Sequence, residues 1–359
     1  MSQAIKFSRK NNQDFVSTLR KRVNLHFKEN DITKKANSFM YGKIAFYLVG
    51  LALSYASLFV FSSFAINLVS WSLVGFFAAF SALNICHDAI HGSLSANQKT
   101  NRFFGNVFNV LGANDYVWKY AHNMVHHSYT NIQGHDEDVD AIPFVRTSPH
   151  QDLKAYHRLQ PYYALFFYSL ATISWVFVKD YVKMAKGQIG ETKMPISRSE
   201  VLRMIGYKFV YYTIFLILPM VLLPFNWSLV LAGFLLMHFF EGITIAIIFM
   251  LAHLVEDVDF PLPDENGDVE NNWAVHQLHT TSNFAQESKL VGFLTGGLNF
   301  QVEHHLFPDM CHVHYPAISK IVKETAQEFG LPYHTQPSIS KALGSHMRFL
   351  NAIGKGAQA

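Results

Sequence analysis

Five apolar runs, each close to the length that crosses a bilayer, set the terms for any fold of this sequence. They occupy residues 44–61, 68–86, 162–178, 207–224 and 228–252. A helix rises 1.5 Å per residue, so about 20 residues cross a hydrocarbon core of about 30 Å. Composition agrees. Half of the 359 residues are hydrophobic, and only 15% are charged, where soluble chains carry about 25%. Length alone would allow two ordinary soluble domains. The runs predict instead an all-α integral membrane protein with a sizeable polar cap.

Charge orients the runs. Residues 1–43 hold Lys6, Arg9, Lys10, Arg20, Lys21, Arg22, Lys28, Lys34, Lys35 and Lys43 against Asp14, Glu29 and Asp31, which places this segment in the cytoplasm. Phe15, Leu19, Val23, Leu25 and Phe27 fall between the charges near helical spacing. They predict an amphipathic helix on the cytoplasmic membrane surface, where basic residues meet anionic lipid. The segment is too long for the n-region of a signal peptide, so none is expected. The connections 62–67 and 224–226 carry no charge, as translocated loops should. The run 162–178 has Arg146, Lys154 and Arg158 before it and Lys179, Lys183, Lys186, Lys193 and Arg198 after it. Basic flanks on both sides keep both ends inside, and Tyr162, Tyr163, Tyr168 and Trp175 suit a helix lying in the interface. The expected architecture is therefore four transmembrane helices in two hairpins, at about 44–61, 68–86, 207–224 and 228–252. An interfacial helix lies at about 162–178, and both termini are inside. A basic segment, 1–43, precedes the catalytic domain, 44–359. A bacterial inner membrane is the expected location.

Chemistry concentrates in three histidine clusters at the ends of apolar segments: His87 and His91; His122, His126 and His127; His304 and His305, with Gln301 three residues before. Residues four apart share a helix face, so an HxxxH presents two imidazoles together. An adjacent HH reaches a second metal or a second side of the first. Seven histidines exceed the four ligands of a tetrahedral zinc, whereas two metals sharing eight or nine ligands would use them all. Imidazole suits iron, copper, zinc and nickel alike, so the clusters alone do not choose the metal. A redox-active pair against lipid favours an acyl chain as substrate. For the clusters to meet, an even number of crossings must separate the second from the third, a further reason for 162–178 not to cross.

Asp88, Asp136, Asp138, Asp140 and Glu303 lie close enough to orient ligand imidazoles through their second nitrogen. Asn131, His276 and Gln277 are expected to join that support. His135, His150, His157, His312, His314 and His334 read as surface or supporting residues. His238 and Glu241, three residues apart halfway along the fourth span, are functional candidates by depth. With Trp118 they are expected to line an acyl tunnel, a helix–helix hydrogen bond being the alternative. Cys86 and Cys311 form no disulfide framework and fit a reducing compartment. The net charge of +3 excludes a nucleic-acid partner.

HDxxH, HxxxHH and QxxHH, in this order and at these separations, resemble the membrane fatty acid desaturases. Trp118, His126-His127-Ser128-Tyr129-Thr130-Asn131 and residues 297–308 strengthen the likeness. Gln301 in the third box resembles the front-end group, which desaturates between an existing double bond and the carboxyl end. Bacterial linoleoyl-CoA desaturase-like proteins are similar over most of the chain. The resemblance implies O2-dependent desaturation of an acyl-CoA or acyl-lipid by a non-haem di-iron centre with almost entirely histidine ligands. It implies an eighth histidine at the end of the fourth span, matched by His253, and it puts Gln301 where related acyl-CoA desaturases have a ligand histidine, leaving three roles open for Gln301: a weak metal ligand, a holder of water, or a hydrogen-bonding support. No haem-binding HPGG motif of a fused cytochrome b5 is found. Electrons are then expected from a separate ferredoxin or cytochrome b5, with the basic N-terminal face as a docking surface. The boxes themselves leave a membrane hydroxylase or ketolase open. A metal transporter is disfavoured, because it would place its ligands at the membrane midplane.

Overall fold

A computed structural model of the protein describes residues 5–8, 12–137 and 144–357. Arg9, Lys10, Asp138 and Asp140 lie outside the described residues. The described part is mostly helical. Helix α1 (Gln13–Glu29) precedes α2 (Ser38–Val60) and α3 (Phe64–Ile90); α4 (Gln98–Val110) and α5 (115–129) follow. Next come α6 (Ala155–Ser169) and α7 (Ala171–Lys186), then α8 (Arg198–Leu222) and α9 (Trp227–His253). The C-terminal part holds α10 (Trp273–Thr280), α11 (Lys289–Thr295), α12 (Gln301–Leu306), α13 (Tyr315–Glu328) and α14 (Ile339–Gly354).

Among the described residues, α2, α3, α8 and α9 are the four helices that are each long and apolar enough to cross a membrane. Capping carries two of them, α2 and α8, into the polar flanks beyond their apolar runs. Asn37 Oδ1 accepts from Met40 N at 3.1 Å and starts α2, and Ser197 Oγ accepts from Glu200 N at 3.2 Å and starts α8. Such caps satisfy amides that have no partner within the helix. Helices α3 and α9 are the inner pair. Their apolar windows are 61% and 56% buried, against 28% and 22% for α2 and α8. Gly75 lets them touch, since a Cβ there would stand 2.3 Å from the Met237 carbonyl oxygen.

Two expectations need correction. The run 162–178 is not one interfacial helix. It is split between α6 and α7, which meet at a bend of 56° around Leu170. At the bend the Ser169 carbonyl lies where a Cβ on Gly242 of α9 would be, 2.4 Å from it, and Thr172 Oγ1 is 2.9 Å from His238 Nδ1. The turn thus fits the chain against α9 on both sides of the bend.

The apolar face of α1 does not meet lipid. Phe15, Leu19, Val23 and Phe27 are buried in one cluster with Val275, Leu278, Phe300, Val302, Ile318 and Val322, while Leu25 is exposed. Arg22 reaches Glu328 at 2.6 Å and Thr325 Oγ1 at 3.1 Å. The amphipathic pattern was legible, but α13 carries a matching apolar face, and burial there removes the same surface from water.

Short two-stranded pairings join segments distant in sequence: Lys6–Phe7 with Asp268–Val269, and Ser282–Phe284 with His334–Gln336. The second backs the third histidine box, because Asn283 Oδ1 accepts from Val302 N at 2.9 Å and so starts α12.

Candidate metal centre

Widened helical turns aim the first two boxes. A π-helical turn at Ala82–Cys86 immediately precedes His87, and another spans Lys119–His126. The i→i+5 bonding of a π turn changes which residues stack. Hence His122 Nε2 lies 3.2 Å from His127 Nε2, five residues on. His122 and His126, four apart, do stack as their spacing predicts, with ring centroids 5.2 Å apart, but they fall in different sets. His87, His91, His122 and His304 form one set with ligand atoms within 4.8 Å of one another; His126, His253 and His305 form another. The adjacent histidines of α12 thus divide, one to each set. His127 lies between, its ring centroid 4.6 Å from that of His304 and 4.3 Å from that of His305.

Hydrogen bonds fix which nitrogen of each ring is bare. His126 Nδ1 lies 3.0 Å from Asp136 Oδ2, His253 Nδ1 3.1 Å from the Thr280 carbonyl, and His305 Nδ1 2.7 Å from Gln277 Oε1. Each of these partners can only accept, so the ring proton sits on Nδ1. His304 Nδ1 lies 3.2 Å from the Tyr315 hydroxyl, which spends its own proton on the Met310 carbonyl; it too must donate. These are the anchoring contacts that metal-bound histidines make through their second nitrogen. The inward atoms have no such partners. Nε2 of His87, His91, His253, His304 and His305 are buried without one, while His127 turns its Nε2 to His122 and leaves its buried Nδ1 unpartnered. A buried polar atom left unpaired costs about 1–3 kcal/mol, and here several converge. A bound metal pair fits this donor set, since it would use the bare lone pairs that nothing else satisfies. Burial first, and neighbouring imidazoles second, hold His91, His122, His127, His304 and His305 well below the ordinary imidazole range. They are neutral at pH 7 and able to donate lone pairs.

The supporting residues are partly as expected. Asp136 and Gln277 anchor His126 and His305. Asn131 acts at one remove: its backbone N–H donates to Asp136 Oδ2 at 3.0 Å, and its Nδ2 donates to the carbonyls of His253 (3.0 Å) and Asp259 (3.2 Å). It holds the end of α9 on the second box. His276 binds no ligand ring; its Nε2 meets the Thr130 carbonyl at 2.9 Å. Glu303 is a correction too. On α12 it points away from the imidazoles and accepts from Tyr333 (2.8 Å) and Asn283 (3.0 Å). Burial, offset in part by those bonds, pushes its carboxyl up to about 7.

Asp88 lies 3.7 Å from His87 Nδ1 but only 2.9 Å from His312 Nδ1, while His312 Nε2 is 2.9 Å from Lys43 Nζ. This buried trio ties the first box to α2. Sequence reasoning classed His312 with the surface or supporting histidines and gave no sign of Tyr315 or Thr280. Trp273 Nε1 donates to the His127 carbonyl at 2.8 Å. Gln301 is buried, and its amide nitrogen has no partner.

A cavity of about 110 Å³ runs beside the centre, lined by Trp118, His122, His126, Trp175, Phe249 and His253, with Lys179 and Lys183 in its wall. Two smaller voids, about 20 and 10 Å³, share the Trp175 and Ile245 walls with it; one touches His87 and the other Thr172 and Glu241. Trp118 stacks on His122, its ring centroid 4.3 Å away. His238 and Glu241 are not part of the centre. His238 bonds Thr172 and, at 2.7 Å, the Tyr211 hydroxyl.

A profile of the fatty acid desaturase family matches residues 62–337. The sn-1 linoleoyl-lipid 6-desaturase of Synechocystis is 34% identical over 359 residues, covering 99% of this chain and 99% of its own. The enzyme of the same name from Arthrospira platensis is 31% identical, covering 94% of this chain and 92% of its own. An acyl-lipid (8-3)-desaturase of Physcomitrium patens is 34% identical, covering 96% of this chain and 72% of its own.

Proposed function

Because the chain belongs to the fatty acid desaturase family, we propose that its histidines hold a pair of irons with which it desaturates a lipid-linked acyl chain. It is a membrane oxidoreductase of lipid metabolism that introduces double bonds into fatty acyl chains. The observation that supports a metal pair is the convergence of two histidine sets, each with bare nitrogens; the choice of iron rests on the family. His87, His91, His122 and His304 hold one ion; His126, His253 and His305 hold the other; His127 completes the centre between them. Gln301 supports the centre without ligating it.

When bound, such a pair supplies the dioxygen activation that an unactivated methylene pair requires. The chain's own residues do the rest. Asp136, Gln277, Tyr315 and the Thr280 carbonyl keep protons on the Nδ1 atoms, so the Nε2 lone pairs stay aimed inward. Trp118, Trp175 and Phe249 wall the cavity with apolar surface and exclude water from the acyl chain. Each turnover takes O2, two electrons and two protons, removes two hydrogens from adjacent carbons and releases two waters. The electrons come from a separate ferredoxin or cytochrome b5. The named relatives act on lipid-linked chains at front-end positions, which supports an acyl-lipid substrate desaturated on the carboxyl side of an existing double bond.

Helices α2 with α3 and α8 with α9 form two membrane hairpins within the 44–359 domain, and α6 and α7 lie in the interface. The 1–43 segment docks on a cytoplasmic cap, in a bacterial inner membrane. Cysteines introduced at Ser63 and Asn226 label from outside, and ones at Ser148 and Lys186 only from inside; outside labelling at Lys186 would sink this topology. Expression in a host lacking polyunsaturated lipids yields new front-end double bonds, and purified protein carries about two irons per chain. A single stoichiometric zinc from iron-replete cells would overturn the metal assignment.

A further inference from the structure

The voids that lead away from the metal centre end on a carboxyl group in mid-membrane. Ala82, Phe108, Trp175 and Ile245 line both of the smaller voids, and Glu241 of α9 closes the second together with Ala113. The Glu241 side chain is 7% exposed, and its carboxyl comes no nearer than 3.6 Å to His238 Nδ1. That nitrogen already bonds Thr172, and the other ring nitrogen bonds Tyr211. Asp180, by contrast, is paired with Lys208 at 2.7 Å, and Glu303 is held by Tyr333 and Asn283. Glu241 instead faces space. Ionisable groups at such depth are costly and mark function.

We propose that Glu241 is the chain-length stop of this desaturase, contacted by the methyl end of the acyl chain. The assignment rests on the acyl-lipid reading given above. Lysines in the wall of the outer cavity (Lys183 paired with Glu137 at 2.8 Å) and apolar walls along the inner voids give the path a direction. The ester and headgroup stay at the lysines, and the hydrocarbon tail runs inward past His87 and His122. The inner voids have room for about one water each, so a bound tail pushes Phe108 and Trp175 aside. Each methylene that enters gains apolar burial until the tail meets the carboxyl. A further methylene would gain no apolar contact there and would strip the carboxyl of any polar partner.

The test feeds a desaturase-free host an equimolar series of even-numbered fatty acids, each carrying one double bond at the same distance from its carboxyl group, and measures the ratio, between adjacent chain lengths, of products with a further double bond. One methylene at a pocket end is worth roughly 10- to 200-fold. Glu241→Ala therefore shifts the ratio toward the longer chain by about tenfold or more. Glu241→Gln, equal in length and still polar, leaves it unchanged. Ala113→Leu fills the same end from the opposite wall and shifts the ratio toward the shorter chain. A general folding defect lowers all products alike and does not move a ratio. Wild-type ratios in Ala113→Leu and in any active Glu241→Ala protein would overturn the proposal. A wild-type enzyme that is active on free acyl-CoA but not on lipid-linked chains would overturn the substrate reading instead.

Discussion

Helix α9 carries two buried histidines with opposite fates. His238, in mid-span, has both ring nitrogens engaged, by Thr172 and by Tyr211. His253, at the end of the same helix, has one nitrogen on the Thr280 carbonyl and the other bare among imidazoles. Both are buried and both lie close to acidic or imidazole groups. What separates them is the unspent lone pair. A fully bonded imidazole is a structural tie between helices, whereas one anchored on a single side, with its other nitrogen converging on others, is built to bind a metal.

The largest effect that tests this contrast comes from the converging side. His126→Ala or His304→Ala should lose iron and lower desaturation by more than the roughly 100-fold that supporting residues can cost. Metal analysis of the purified protein alongside a lipid profile reads both. Asp136→Asn and Gln277→Ala come next. Each frees the proton-bearing side of a ligand ring, and iron retention against a chelator should weaken by roughly 10- to 100-fold. Gln301→Ala should keep its iron and lose about tenfold in turnover. Gln301→His should also keep iron, and iron loss there, with correct insertion, would mean that the third box is aimed differently. On the bonded side, His238→Ala should retain both irons and cost about 1–3 kcal/mol of stability from its orphaned hydroxyl partners. If its iron disappears too, the distinction between the two histidines fails. The smallest effect belongs to Tyr315→Phe, which removes one acceptor from His304 and should weaken iron retention only by a few-fold, about 1 kcal/mol.

Much of this was legible in the sequence for a physical reason: membrane spans and metal boxes are local patterns. The four runs of low charge, His87 with His91, and the pairing of Asp136 with the second box all follow from short-range spacing. What stayed hidden depends on distant partners or on helix pitch. The face of α1 reads as lipid-facing until α13 is seen to match it. The HxxxHH spacing predicts the stacking of His122 on His126, but not that the π turn at Lys119–His126 also brings His127 to His122, nor that His126 joins the second set. Glu303 sits beside two ligands in sequence, yet consecutive helical residues point to different sides, and its carboxyl meets Tyr333 instead. Tyr315 has no motif at all; only the path from α12 into α13 brings it to His304.

The division of His304 and His305 between the two sets also orders events at the ribosome. Both residues belong to α12, more than 300 residues into a chain of 359. At about 5–20 residues per second, they emerge last of all the ligands. Until then, the first set has only His87, His91 and His122, and the second only His126 and His253. A nascent chain can therefore insert all its spans while still unable to hold a metal pair. Two neighbouring codons thus close both sets at once, so metal uptake waits for α12 and a chain terminated before it stays metal-poor.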